Sequence, residues 1–146
     1  MARFLLTGAI IVLLNGCAEP FIVFAGGELS GDEKVPPTDW SLLEAIDTVQ
    51  IETDPNDPYS VNVWAVGIGA DVYVATGEDG TNWTERIESD PLVRLRTNGD
   101  IYPLSATTVT DMAERRRVAQ AYLNKYDVDD DEGWVDTGRI YRLDRR

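Results

Sequence analysis

Three observations predict an α+β fold, a small antiparallel β-barrel with peripheral helices. Short stretches of alternating apolar and polar residues recur between turn signals, at 49–53, 61–66, 72–76, 92–97 and 101–109. Asn98-Gly99 and the segment from Gly67 to Asp71 are short enough to join neighbouring runs as antiparallel hairpins. One long amphipathic helix, from Thr110 or Asp111 to about Tyr126, stands against these strands. With 146 residues, no internal repeat and no second core, the chain reads as one domain.

The elements follow in order. Thr38 or Asp39 can N-cap a short helix carrying Trp40, Leu42, Leu43 and Ile46. Val49 and Ile51 alternate with Gln50 and Glu52 in a first strand, which the turn cluster Asp54-Pro55-Asn56-Asp57-Pro58 ends. Val61, Val63 and Ala65 alternate with Asn62, Trp64 and Val66 in a second, and Val72 to Thr76 returns as the third. The loop Gly77-Glu78-Asp79-Gly80-Thr81 leads into a short helix from Asn82 to Ser89, stopped by Asp90-Pro91. Leu92 to Thr97 and Ile101 to Val109 are the fourth and fifth strands, and Pro103 marks an edge or a bulge in the fifth. Asp111 and Glu114 have capping-box spacing at the start of the long helix. Its apolar face is read as Met112, Ala119, Tyr122, Leu123 and Tyr126, with Arg115, Arg116 and Lys125 solvated. Asp129 to Glu132 is an acidic surface turn, and Gly138 to Leu143 forms a sixth, closing strand.

Composition narrows the chemistry. The chain has no histidine, which excludes Ser–His and Cys–His nucleophilic pairs and histidine metal ligands. A single cysteine excludes disulfide frameworks and Cys-rich zinc sites. With 26 acidic and 13 basic residues and a net charge of −13, the chain is no binder of nucleic-acid phosphates, which need a basic surface. Asp127-x-Asp129-x-Asp131 opens like a calcium loop, but Glu132 and Gly138 stand where such a loop needs glycine and glutamate. No metal is expected. Asn82-Trp83-Thr84 fits a glycosylation acceptor pattern.

The first residues read as an address. Arg3 precedes an apolar run from Phe4 to Leu14, too short for the roughly 20 residues of a spanning helix. Leu14-Asn15-Gly16-Cys17 resembles the bacterial lipoprotein box, in which the cysteine becomes the lipid-modified first residue. That resemblance implies a signal peptide over 1–16 and a lipidated Cys17. It implies attachment to, rather than passage through, a membrane on the extracytoplasmic (periplasmic) side of the bacterial envelope. Gly26-Gly27, Gly31 and Pro36-Pro37 then make 17–37 a tether, leaving 38–146 as the barrel domain.

Within that domain, Val63-Trp64-Ala65-Val66, Asp71-Val72-Tyr73-Val74 and Trp83-x-x-Arg86-Ile87-x-x-Asp90-Pro91-x-Val93-x-Leu95 resemble the flavin-binding split-barrel superfamily. The similarity is greatest to deazaflavin-dependent nitroreductase-like and pyridoxamine-phosphate-oxidase-like members, and Lys125-Tyr126 and Arg142-Leu143 extend it. It implies a six-stranded split barrel, a homodimer, and FMN or a deazaflavin at the subunit interface. Carried onto this chain, the cofactor-binding positions are Trp64, Thr76, Gly77, Thr81, Asn82, Trp83 and Arg86. The residue types permit it. Glycines allow close backbone approach, a helix N-terminus offers N–H groups to an anion, and Arg86 can form a fork with phosphate. The same residues also read as an ordinary surface loop, with Trp64 and Trp83 as core or interface aromatics and Glu78 and Asp79 placing negative charge beside a phosphate. Arg94 and Arg96 share a strand face that is either solvated or open to an anion.

Two functions follow. One is a membrane-anchored oxidoreductase whose flavin or deazaflavin carries the electrons to a small-molecule substrate, with no catalytic side chain required. The other is a cofactor-free split barrel that binds a ligand or an envelope partner.

Overall fold

Alternating strands and one long helix do build an α+β half-closed barrel. The computed structural model describes residues 26–129 and 133–146, so the signal-like segment, Cys17 and the acidic residues 130–132 lie outside the described residues. The strands are β1 (Asp32–Glu33), β2 (Val49–Thr53), β3 (Tyr59–Val63), β4 (Ala65–Ile68), β5 (Asp71–Thr76), β6 (Leu92–Thr97), β7 (Asp100–Thr108) and β8 (Arg139–Arg145). Helices α1 (Asn82–Ser89), α2 (Met112–Tyr126) and α3 (Trp134–Thr137) join a 3-10 turn at Ser41–Ala45.

The sheet order is β3-β2-β6-β7-β8-β5-β4, antiparallel throughout this path. Its two end strands, β3 and β4, are consecutive in the chain and separated by Trp64 alone. The expected single strand over 61–66 is therefore two strands with different partners, β2 on one side and β5 on the other. With the short parallel β1 on β7, this gives eight described strands where the sequence indicates six. The split is invisible to the alternation rule because Val61, Val63 and Ala65 all point into the same core across the bend.

Asn98 and Gly99 both take positive φ, 52° and 86°, as a two-residue turn twisted to suit the β6–β7 hairpin requires. Pro103 lies neither at an edge nor at a bulge. It falls where β7's pairing with β1 has ended at Ile101 and its pairing with β8 has not begun, at Leu104. A residue without an N–H fits that gap.

Two apolar clusters result. The barrel interior contains Trp40, Leu43, Ile51, Leu95, Leu104, Tyr141 and Leu143, all nearly inaccessible. A second cluster, outside the sheet, joins Val66, Tyr73 and Ile140 to Val118 and Tyr122 of α2. Asp111 caps α2, its carboxylate accepting from the Glu114 N–H at 2.8 Å. Of the face read from periodicity, Tyr122 is buried and Tyr126 packs beside it, but Arg115 and Val118 complete the buried face and Leu123 is exposed. Arg115, expected in solvent, is buried. Its guanidinium donates to the carbonyls of Val135 (2.6 Å), Val109 (2.8 Å) and Gly138 (2.6 Å), joining β7, α2 and α3.

The described part of the expected tether is irregular but docked. Residues 26–34, here called the strap, cross the outer face of β3, β2 and β6 and end beside β7. Gly26 exchanges backbone hydrogen bonds with Ser60, the Leu29 N–H donates to Glu52, and the Lys34 N–H donates to Ile101 at 2.8 Å. A Cβ on Gly31 would lie 2.3 Å from the Gly99 carbonyl oxygen, so only glycine lets the strap pass so near the β6–β7 turn.

Candidate functional site

The bend between β3 and β4 turns Trp64 outward, where it is 41% exposed. Its ring stacks on Tyr126 at 4.6 Å with planes 7° apart, Tyr126 tilts against Tyr122 at 5.7 Å, and Trp134 meets Tyr122 edge-on at 5.7 Å. Hydrogen bonds fix this aromatic row. The Tyr122 hydroxyl donates to the Trp64 carbonyl at 3.1 Å, and the Trp134 indole N–H donates to the Asp129 carbonyl at 2.9 Å. The Tyr126 oxygen accepts from the Ala65 N–H at 3.2 Å and lies 2.9 Å from the Asp47 carbonyl. Lys125 lies over the Tyr126 ring at 4.7 Å and donates to the Ala65 carbonyl at 2.7 Å. Burial pulls its ammonium pKa down, against the opposing pull of Asp47 and Glu44.

Beside the row opens an apolar slot of about 260 Å³, lined by Trp64, Ala75, Thr76, Gly77, Tyr122, Val128 and Trp134. Thr76 and Gly77 end β5, and a Cβ on Gly77 would meet nothing within 4 Å. The slot can take a flat aromatic body against Trp64 and Trp134, with backbone groups of the β5 end at its side.

Three of the residues singled out from the sequence, Trp64, Thr76 and Gly77, therefore meet at the slot. The other four belong to α1 and its entry. Thr81 N-caps α1, and its N–H donates to the Thr84 hydroxyl at 2.9 Å. Asn82 opens the helix on the surface, where its N–H and that of Trp83 have no intrahelical acceptor. The Trp83 ring is in the barrel core, edge-on to Tyr141 at 5.8 Å. Arg86 faces the β2–β3 turn. It forms ion pairs with Asp57 at 3.1 Å and Asp54 at 3.6 Å, and its guanidinium lies 4.8 Å above the Tyr59 ring.

Sequence reading missed Arg139, the first residue of β8, which the antiparallel register sets opposite Thr76. Its guanidinium donates to the Glu78 carbonyl at 3.1 Å and to Glu88 of α1 at 2.6 Å, so it fastens the loop from Gly77 to Thr81. The register of the closing strand was the signal that would have found it. Tyr122 and Trp134 were missed as slot walls for the same reason, since each comes from a different element. Among the described residues no cluster of carboxylates or cysteine could hold a metal ion, and no helix is long and apolar enough to cross a membrane.

No protein-family model matches this chain, and no curated protein matches it in sequence. Solved structures do share its fold. A protein from Bacteroides thetaiotaomicron named for 5-nitroimidazole antibiotic resistance superposes with a TM-score of 0.57 at 14% identity, over 70% of this chain and 75% of that one. An F420-H2 dependent reductase gives 0.57 at 13% identity, over 68% and 95%. A FAD-binding protein from Mesorhizobium loti gives 0.52 at 14% identity, over 71% and 84%. Identity at this level establishes the fold alone, and that fold is the split barrel indicated by the segment from Trp83 to Leu95.

Proposed function

We propose that this chain binds a flavin-type cofactor, FMN or a deazaflavin, and serves as a reductase of small molecules at the bacterial cell envelope. The aromatic slot between Trp64 and Trp134, opening beside Thr76 and Gly77, carries this reading. Solved structures of the same fold named as an F420-H2 dependent reductase and as a FAD-binding protein support it. The residues suit the group: Trp64 and Trp134 would flank a flat ring, and Gly77 leaves space beside it. The N–H groups of Asn82 and Trp83, which have no intrahelical acceptor, would with Thr81 meet its anionic end. Arg139, itself paired with Glu88, holds the loop between these two parts through the Glu78 carbonyl. When bound, such a cofactor supplies the electron transfer itself.

A slot of about 260 Å³ falls below the roughly 300–1,000 Å³ of ordinary ligand pockets. A second copy of the chain closing the slot would enlarge it, which is the reason for proposing a homodimer. Lipidation of Cys17 would hold the protein on the extracytoplasmic membrane surface.

One observation favours the alternative, a cofactor-free barrel that binds another ligand or an envelope partner. Arg86 is already neutralised by Asp54 and Asp57, so it is not poised for a phosphate. Titration of the full chain with FMN and with a deazaflavin, followed by fluorescence, separates the two. Saturable binding that weakens about tenfold or more in Trp64→Ala supports the cofactor reading. No saturation by either compound overturns it in favour of the cofactor-free barrel.

A further inference from the structure

Arg94 and Arg96 stand two residues apart on the outer face of β6, and their surroundings differ. Arg94 is neutralised by Glu52 at 2.7 Å, with Glu28 at 3.5 Å. Arg96 has no ion pair among the described residues. Its one hydrogen bond runs from Nη1 to the Gln50 side-chain oxygen across the β2–β6 pairing. That bond fixes the guanidinium and leaves its Nε–Nη2 edge unused, the edge whose two parallel donors match the oxygens of a carboxylate or phosphate.

Among the described residues the buried Arg96 Nε has no hydrogen-bond partner. Thr97, the next residue of the strand, turns its own buried side chain to the opposite, inner face with Val93 and Leu95. Buried polar groups are otherwise bonded as a rule, so the orphaned Nε calls for an acceptor that the described residues do not supply. Arg96 lines a cavity of about 290 Å³ at the turn end of β6, together with Thr48, Gln50, Asn62 and Asn98. No carboxylate of the described residues lines it, in a chain with 26 acidic and 13 basic residues. Hydroxyls and amides therefore surround one unneutralised, immobilised cation.

We propose that this cavity binds a small molecule through a carboxylate or phosphate group, with Arg96 as its anchoring cation. It shares no lining residue with the aromatic slot and does not depend on the cofactor reading. A phosphate could come from a soluble ester or from a lipid headgroup, and the test separates these sources.

The full chain is titrated calorimetrically with inorganic phosphate and with succinate at about 0.15 M salt, where the screening length is about 8 Å. It is also mixed with phosphatidylglycerol vesicles. The expected result is saturable binding of a soluble anion, weakened about tenfold or more in Arg96→Gln. Arg96→Lys, which keeps the charge without the fork, should recover part of the loss, and exposed Arg117→Gln should change nothing. Arg96-dependent vesicle binding without soluble-anion binding supports the same site with a lipid headgroup as its ligand. Circular dichroism confirms that each variant is folded. The proposal is overturned if none of the three probes binds, or if Arg96→Gln binds as the parent does.

Discussion

Helix α2 and the N-terminal strap each cover an outer wall of the barrel, and they are fastened differently. On the α2 side, Val118 and Tyr122 pack on Val66, Tyr73 and Ile140, and the one buried cation, Arg115, is bonded to carbonyls rather than to a carboxylate. On the strap side, Leu29 is the one buried apolar side chain, and the fastening passes through Glu52, which accepts from the Leu29 N–H and pairs with Arg94. Arg94 also donates to the Leu29 carbonyl at 3.3 Å. The difference assigns the two walls to different forces. Apolar burial and neutral acceptors should make the α2 wall intolerant of lost contacts, with the Glu114–Arg142 pair at 2.8 Å as its one ion pair to the sheet among the described residues. Between its end bonds to Ser60 and to β7, the middle of the strap is held through one ion-paired carboxylate, and the strap should come away while the barrel stays folded.

The largest effect should come from Arg115→Ala. It strips three buried carbonyls of their donor where α2, α3 and the end of β7 meet, and should cost about 3–5 kcal/mol in equilibrium denaturation. A loss under about 1 kcal/mol would mean that the aromatic packing alone holds α2, and the contrast between the walls would lose its basis.

Alkaline pH tests the same wall without a mutation. Burial holds the hydroxyls of Tyr73, Tyr122 and Tyr126 above the ordinary tyrosine pKa, and for Tyr73 its hydrogen bond to Glu114 adds to this. The folded state therefore keeps protons that an unfolded tyrosine releases near pH 10. This stabilisation is complete below about pH 10 and is lost as pH rises toward the folded values. Tyrosinate absorbance from these residues should appear together with the loss of helical circular dichroism. Full tyrosine ionisation in a chain that keeps its helix signal would contradict the burial of this wall.

These contrasts also explain what the sequence revealed. Hydrophobic alternation located β2, β5, β6 and β7, and the capping pair Asp111 and Glu114 located the start of α2, because those signals are local. The partner switch at Trp64 leaves no local trace, since alternation reports which face a side chain takes and not which strand lies beside it. Three of the seven residues that line the slot were legible, namely Trp64, Thr76 and Gly77. Tyr122, Trp134 and Arg139 come from elements brought in by tertiary packing, and their types alone read as helix face, loop and strand end. Arg115 misled for a related reason: arginine is usually solvated, and the carbonyls that make it buriable lie 20 or more residues away, at Val135 and Gly138.

The smaller tests concern the strap and use one arginine with two carboxylates. Glu52 is 3% exposed, so Glu52→Gln keeps the shape but leaves Arg94 without its buried counter-charge, an expected cost of about 1–2 kcal/mol. Limited proteolysis should then cut within residues 26–34 much faster, while the barrel fragment stays intact. The Glu28 side chain is 73% exposed and reaches the same Arg94 at 3.5 Å. Solvent screens that pair, so Glu28→Gln should change stability by no more than about 0.5 kcal/mol and leave the cleavage rate as it was. Both variants remove one negative charge beside the same guanidinium, so net charge cannot account for a difference between them. Equal effects would show that long-range attraction of the acidic strap, rather than the buried Glu52 bond, holds it to the barrel.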